Sequence, residues 1–165
     1  MNNNLERPDK DLYFLRMARL AGSRSTCLRR AVGCVLVNAR GHVLSTGYNG
    51  TAAGQPHCNA KHVERTMVNA IEEATPIFIN RSPTYPNACA GAMAESGTQL
   101  DACDAIHAEQ NALLQCHDVY AIETCYVTAS PCVTCLKLLL NTSCHRIVAA
   151  SRYATATHLD HAAKL

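Results

Sequence analysis

The sequence predicts an α/β fold, a sheet with helices packed on its faces. Three observations carry that expectation. The stretch from Ile106 to Ala150 alternates helical and strand-like periods of apolar residues, a β-branched hairpin pattern runs from Val32 to Tyr48, and a well-bounded helical pattern precedes it. The length of 165 residues fits one domain spanning 1–165, because compact domains most often run ~100–150 residues and rarely divide below ~250.

In chain order, Asp9 to Gly22 spaces Leu12, Leu15, Met17, Ala18 and Leu20 for one helical face, with Pro8 before it and Gly22 at its end. Val32-Gly33-Cys34-Val35-Leu36-Val37 and His42 to Tyr48, separated by Asn38-Ala39-Arg40-Gly41, read as a hairpin. From 51 to about 105 the pattern dissolves into a loop-rich insertion punctuated by Pro56, Pro76, Pro83, Pro86, Gly91 and Gly97, where only Lys61 to Glu73 keeps a helical rhythm. Regularity returns as a helix over Ile106 to Cys116, a strand over Glu123 to Ala129, a helix over Cys132 to Asn141 and a strand over Arg146 to Ala150. Ala154 to Lys164 suits a short final helix.

Composition narrows the function. With 48% hydrophobic and 17% charged residues the chain can bury an ordinary core. Its longest apolar run, Ala31 to Val37, is far short of the ~20 residues a membrane helix needs, and Met1 to Arg7 lacks the apolar centre of a signal peptide, so a cytoplasmic location without membrane partners is expected. A net charge of +2 without a dense Lys/Arg block argues against a dedicated nucleic-acid binder and for a small-molecule substrate. Ten cysteines and eight histidines in a reducing compartment point to metal ligands, with Cys34, Cys116, Cys125 and Cys144, inside apolar or mixed runs, read as core packing.

The chemistry gathers in His107-Ala108-Glu109, which opens one helix, and Pro131-Cys132-Val133-Thr134-Cys135, which opens the next. Cys132 and Cys135 lie one helical turn apart at a helix N-terminus that favours thiolate, so both sulfurs can face one ion. With His107 they offer three ligands, the number that leaves zinc a fourth position for a water of lowered pKa. Glu109, two residues from the histidine, is placed to move that water's proton. The order H-x-E then P-C-x-x-C is the general signature of zinc deaminases. A redox dithiol would want a strand-then-helix setting near the N-terminus, and a closed Cys/His knuckle would leave Glu109 without a role.

These segments, with Arg24-Ser25-Thr26-Cys27-Leu28-Arg29-Arg30, Val32-Gly33, Ser45-Thr46-Gly47-Tyr48-Asn49-Gly50, Pro83-Thr84-Tyr85-Pro86-Asn87, Gln110-Asn111-Ala112 and Tyr126-Val127-Thr128, resemble the cytidine and deoxycytidylate deaminase superfamily over most of the chain. The Gly47-Tyr48-Asn49-Gly50 segment points to its deoxycytidylate branch. The resemblance implies a three-layer α/β/α cytidine-deaminase-like fold with a mixed sheet of four or five strands. It implies zinc-dependent hydrolysis of dCMP to dUMP and ammonia, feeding thymidylate synthesis, in a homo-oligomer, often a hexamer, regulated by dCTP and dTTP with Mg accompanying the nucleotide effector.

Carried across by residue, the resemblance sets Asn49 near the nucleotide sugar, Tyr153 against the substrate, and Arg24 and Ser25 near the phosphate. Asn49-Gly50 is equally a turn dipeptide, Tyr153 equally a surface residue, and Arg29 and Arg30 equally solvated. Similar proteins also imply a second, structural zinc that would staple the loops through Cys27, Cys58, Cys103 and Cys89, with His57 and His62 as alternatives for the fourth ligand. Two departures stand out. Ala90 to Gly97 lacks the basic residues such proteins carry there, which weakens the expected hold on nucleotide phosphates, and the sheet is expected to be one strand short because the chain stops at Leu165. The rival activities are deamination of cytidine, guanine or a riboflavin precursor, and a non-catalytic zinc-binding nucleotide module.

Overall fold

The computed structural model describes residues 7–62, 65–68, 77–80, 82–95 and 98–152, of which 65–68, 77–80 and Leu100 are described by backbone alone. Its elements follow as α1 (Lys10–Gly22), β1 (Gly33–Val37), β2 (Val43–Tyr48), β3 (Arg65–Val68) and β4 (Ile77–Asn80). A 3-10 turn at Leu100–Ala102 leads to α2 (Ala108–Leu114), and a second at Val119–Ala121 to β5 (Thr124–Val127), α3 (Val133–Leu140) and β6 (Arg146–Ala149). The helices keep the positions their apolar spacing predicts, each shortened to its capping residue. Asp9 starts α1 by accepting the Leu12 N–H at 2.7 Å, and His107 and Cys132 are the N-caps of α2 and α3.

The main sheet has the order β2-β1-β5-β6, antiparallel at β2-β1 and β1-β5 and parallel at β5-β6. Central β1 is buried along its whole length, which is why its sequence is a continuous apolar run rather than an alternation. Cys34 and Leu36 face α2 and α3 with Cys125, Val127, Ala108, Ala112 and Leu139, while Val35 and Val37 face α1 with Phe14, Ala18 and Tyr126. One helix on one face and two on the other make the expected three layers, with a mixed sheet of four strands among the described residues. Cys34 and Cys125 are fully buried, their sulfurs 3.5 Å apart, and Cys116 and Cys144 pack against the same core, as their apolar settings suggest.

Two glycines set how closely the layers approach. A Cβ on Gly47 would strike the Ala108 carbonyl oxygen and the Ala112 nitrogen, so β2 carries the first turns of α2 in direct backbone contact. A Cβ on Gly33 would strike the Ala18 carbonyl and Gly22 of α1. A third tie fastens an edge strand: Arg146 of β6 grips both Asp11 oxygens, at 2.7 and 2.6 Å, and the buried Tyr126 hydroxyl donates to the same carboxylate at 2.9 Å.

The insertion corrects one expectation. Instead of a helix over Lys61 to Glu73, Arg65–Val68 is a strand paired antiparallel with Ile77–Asn80 in a ribbon separate from the main sheet, Thr66 opposite Ile79 and Val68 opposite Ile77. β-branched residues fit a pleated pair, and hydrogen bonding to a partner overrides a marginal helical rhythm. The expected final helix, Ala154 to Lys164, and Tyr153 lie outside the described residues.

Candidate metal centre and substrate pocket

α2 and α3 begin side by side. The His107 backbone N–H donates to the Gln110 side chain at 2.9 Å, a spacing typical of helix starts that fixes the histidine at the mouth of its helix. Gln110 was legible only as part of the H-A-E-Q run and not for this work. From the neighbouring helix Cys132 and Cys135 bring their sulfurs to 3.4 and 3.3 Å from His107 Nδ1. Among the described residues this is the one group of three His, Cys, Asp or Glu ligand atoms lying within 4.8 Å of one another. Tetrahedral zinc with bonds of ~2.0–2.1 Å to nitrogen and ~2.3 Å to sulfur separates such atoms by ~3.6 Å, so the donor set and its spacing fit zinc.

The electrostatics match that donor set. The Cys135 thiol hydrogen-bonds to Cys132, and His107 adds a second bond, so Cys132 is held down at about 3 despite its burial. The same bond, burial and the nearby Glu109 drive Cys135 far up. Two sulfurs thus share one proton, which a dication would displace. The Cys132 hydrogen bond also raises His107 against the opposing effect of burial. Glu109 is only 4% exposed, and desolvation pushes its carboxyl above the usual range although its own backbone N–H and His107 pull the other way. A buried carboxyl against two sulfurs and an imidazole is suited to taking and returning a proton.

His107, Cys132 and Glu109 open into a pocket lined also by Val32, Asn49, Ala129, Ser130, Arg29 and Arg30. Asn49 is buried and wired on three sides. Its Oδ1 accepts from the Ser25 hydroxyl and the Val32 N–H, both at 2.8 Å, and its Nδ2 donates to the Arg30 carbonyl at 2.7 Å, leaving one N–H for a ligand. The Ser25 hydroxyl, expected near a phosphate, is engaged in this lock, and Arg24 is exposed and outside the pocket lining. Nor is Arg29 merely solvated: its Nε donates to the Gly91 carbonyl at 2.8 Å, its Nη2 to the same oxygen, and its Nη1 to the Thr98 carbonyl at 3.0 Å. That clasp across the insertion had no signal in the local sequence.

The other cysteines gather beside the pocket without closing. Cys58 and Cys89 have sulfurs 3.8 Å apart, the edge of a tetrahedron of ~2.3 Å zinc–sulfur bonds. Burial pushes Cys89 up, but hydrogen bonds with the Asp104 backbone, Cys58, the Gly91 backbone and Cys103 outweigh it and leave the thiol below its ordinary value. Burial raises Cys103, and the charges of Cys27 and Cys89 add to that rise. His57 and His62, the alternative ligands, are exposed, and His62 joins Thr84 through a backbone bridge.

A family model described as the cytidine and deoxycytidylate deaminase zinc-binding region matches residues 8–151. The chain belongs to this family. Relatives include the deoxycytidylate deaminase of Schizosaccharomyces pombe, 34% identical over 96% of this chain and 42% of its own length. That of Mycobacterium phage D29 is 35% identical over 87% of this chain and 96% of its own. The chain therefore spans less than half of the yeast relative and nearly all of the phage one. In fold, the crystal structure of the dCMP deaminase of cyanophage S-TIM5 in complex with dCMP and dUMP aligns with a TM-score of 0.61 and 21% identity, over 96% of this chain and 93% of that one. The four-stranded mixed sheet flanked by three helices is the fold of that family member.

Proposed function

We propose that this protein hydrolyses dCMP to dUMP and ammonia, with chain 1–165 acting as one deaminase domain. The observation that carries the reading is Glu109, 4% exposed and set against three converging ligand atoms at the floor of a pocket. The names of the relatives at 34% and 35% identity support dCMP as the substrate.

A zinc ion held by His107 Nδ1, Cys132 Sγ and Cys135 Sγ would supply a Lewis acid that lowers the pKa of water in its fourth position. The chain's own residues handle the rest. Glu109 takes the water proton, delivers it to N3 of the pyrimidine, and passes a further proton to the departing 4-amino group, so that water and dCMP balance dUMP and ammonia. Gln110 keeps His107 at the head of α2, and Asn49 offers its remaining N–H to the nucleotide. The Cys58–Cys89 pair, with Cys103 and Cys27 beside it, supports a structural zinc in the insertion, distinct from the catalytic one. Homo-oligomer formation, up to a hexamer, control by dCTP and dTTP with Mg, and a cytoplasmic location complete the proposal; no described helix is long and apolar enough to cross a membrane.

The test is ammonia release from dCMP, CMP, deoxycytidine and dCTP by purified protein, with zinc counted per chain. The expected result is preference for dCMP with at least one zinc, and two if the cysteine cluster is filled. Preference for an unphosphorylated nucleoside would remove dCMP and leave deamination. Bound zinc without ammonia from any base would leave a binding module.

A further inference from the structure

The loop that carries Asn49 rests on a segment that is itself held from behind. The Ser25 hydroxyl lies 2.8 Å from Asn49 Oδ1 and 2.9 Å from the Asn49 carbonyl oxygen, and the Thr26 N–H donates to that same carbonyl at 3.2 Å. Thr26 Oγ1 accepts the Thr51 N–H at 3.1 Å and lies where a Cβ on Gly50 would reach, so residues 49–51 sit directly on Ser25 and Thr26. The carbonyls of Ser25 and Thr26 are both taken by one residue. Asn59 Nδ2 donates to the Ser25 carbonyl at 3.0 Å, and the Asn59 backbone N–H donates to the Thr26 carbonyl at 3.1 Å. Asn59 has a firm base: its turn is closed by the Ala60 N–H donating to the His57 carbonyl at 3.1 Å, and its neighbour Cys58 is buried and accepts the Cys89 N–H at 3.4 Å. Asn49 lines the pocket, whereas Asn59 does not. The other end of the Asn49 loop is fastened separately, because Gly50 and Ile106 exchange two backbone hydrogen bonds, at 3.1 and 2.8 Å.

We infer that Asn59 is a positioning residue for the substrate: by gripping the Ser25 and Thr26 carbonyls it fixes the Asn49 carboxamide, and through it the strength of nucleotide binding. This rests on the proposal that the substrate is dCMP. Asn49 offers the pocket an N–H because its Oδ1 is engaged by Ser25 and by the Val32 N–H, so the amide's aim depends on where Ser25 stands. Without the Asn59 side chain the Ser25 carbonyl loses its donor, the segment can shift, and the amide tilts with it. A hydrogen bond weakens steeply as its angle closes, so a small tilt lowers affinity. His107, Glu109, Cys132 and Cys135 stand at the starts of α2 and α3, and the Asn59 bonds run to neither helix. The effect therefore falls on binding and spares the chemical step.

The experiment measures binding of dUMP, which does not turn over, by titration calorimetry, together with kcat and KM for dCMP. Asn59→Ala should weaken dUMP binding and raise KM about 3- to 10-fold, the worth of one neutral hydrogen bond, with kcat within about twofold of wild type. Asn59→Asp keeps the shape but has no donor for the Ser25 carbonyl, and should weaken binding at least as much. Asn49→Ala should also weaken dUMP binding, and adding Asn59→Ala to it should cause no further loss, because the two residues act in line. A merely structural Asn59 would lower the melting temperature and leave the folded protein's affinity for dUMP at the wild-type value, which overturns the inference while leaving dCMP as substrate. Full addition of the two losses in the double variant overturns it as well. If Asn59→Ala does not fold, Asn59→Asp decides, and wild-type affinity there has the same meaning. A wild type that neither binds dUMP nor deaminates dCMP overturns the dCMP reading itself.

Discussion

The chain gathers its cysteines in two kinds of setting. His107, Cys132 and Cys135 stand on the first turns of two helices seated on a packed sheet, and both sulfurs lie 3.3–3.4 Å from His107 Nδ1. Cys27, Cys58, Cys89 and Cys103 stand on loops, where the Cys58 and Cys89 sulfurs lie 3.8 Å apart. The first set is seated on β1, β5 and α2, which are buried in the core. The second has little apolar surface beneath it, so a metal there would contribute folding free energy as well as receive ligands.

The sharpest way to separate chemistry from structure is Glu109→Gln. Turnover of dCMP should fall by ~10²–10⁴, the range of general acid/base catalysis, while zinc content and melting temperature stay near wild type. Zinc loss in this variant would make Glu109 a ligand, and near-normal turnover would place the proton shuttle elsewhere.

Paired serine substitutions break the comparison directly. Cys135→Ser should lose the catalytic zinc and activity with little change in thermal stability. Cys27→Ser should lose the other zinc and lower the melting temperature, while the fraction that stays folded keeps turning over. Equal zinc content and melting temperature in Cys27→Ser and wild type would remove the structural site.

What the sequence made legible follows the same division. H-x-E and P-C-x-x-C are local spacings, read directly off helix geometry, and the order of periods placed both helices against one sheet. Contacts between distant loops left no such mark. Arg29 reaches Gly91 and Thr98 across 62 and 69 positions, and Ser25 locks to Asn49 across 24, so neither an arginine beside another arginine nor a serine in the Arg24-Ser25-Thr26-Cys27 segment announces its partner. The strand at Arg65–Val68 was hidden for a related reason, since its partner at Ile77–Asn80, rather than its own rhythm, decides its state.

Smaller effects should come from the frame itself. Gly47→Ala sets a Cβ against the α2 backbone and should cost about 1–3 kcal/mol by overpacking, read as a lower unfolding midpoint in urea, with activity lost in proportion as α2 and its histidine move. An unchanged midpoint would mean that α2 can slide on β2. Smallest is Asp11→Asn. The Arg146 hydrogen bonds hold the Asp11 carboxyl down at about 2 from 3.8, aided by Tyr126 and opposed by slight desolvation. Because the folded value is the lower one, this contribution is complete above pH 4 and fades as pH falls through about 2. The melting-temperature gap between wild type and Asp11→Asn should therefore be small at pH 6 and vanish near pH 2, and a gap that widens with acid would refute the pairing.

The sheet order also governs how the protein comes into being on the ribosome. β1 can pair with β2 as soon as the hairpin emerges, but its other edge waits for β5, with Cys34 and Cys125 separated by 91 positions. At ~5–20 residues per second of synthesis, this fully buried strand spends roughly 5–18 s with an open edge and its α2/α3 face uncovered. The whole insertion is made during that wait. Newly made chains are thus most open to strand-to-strand association before β5 appears.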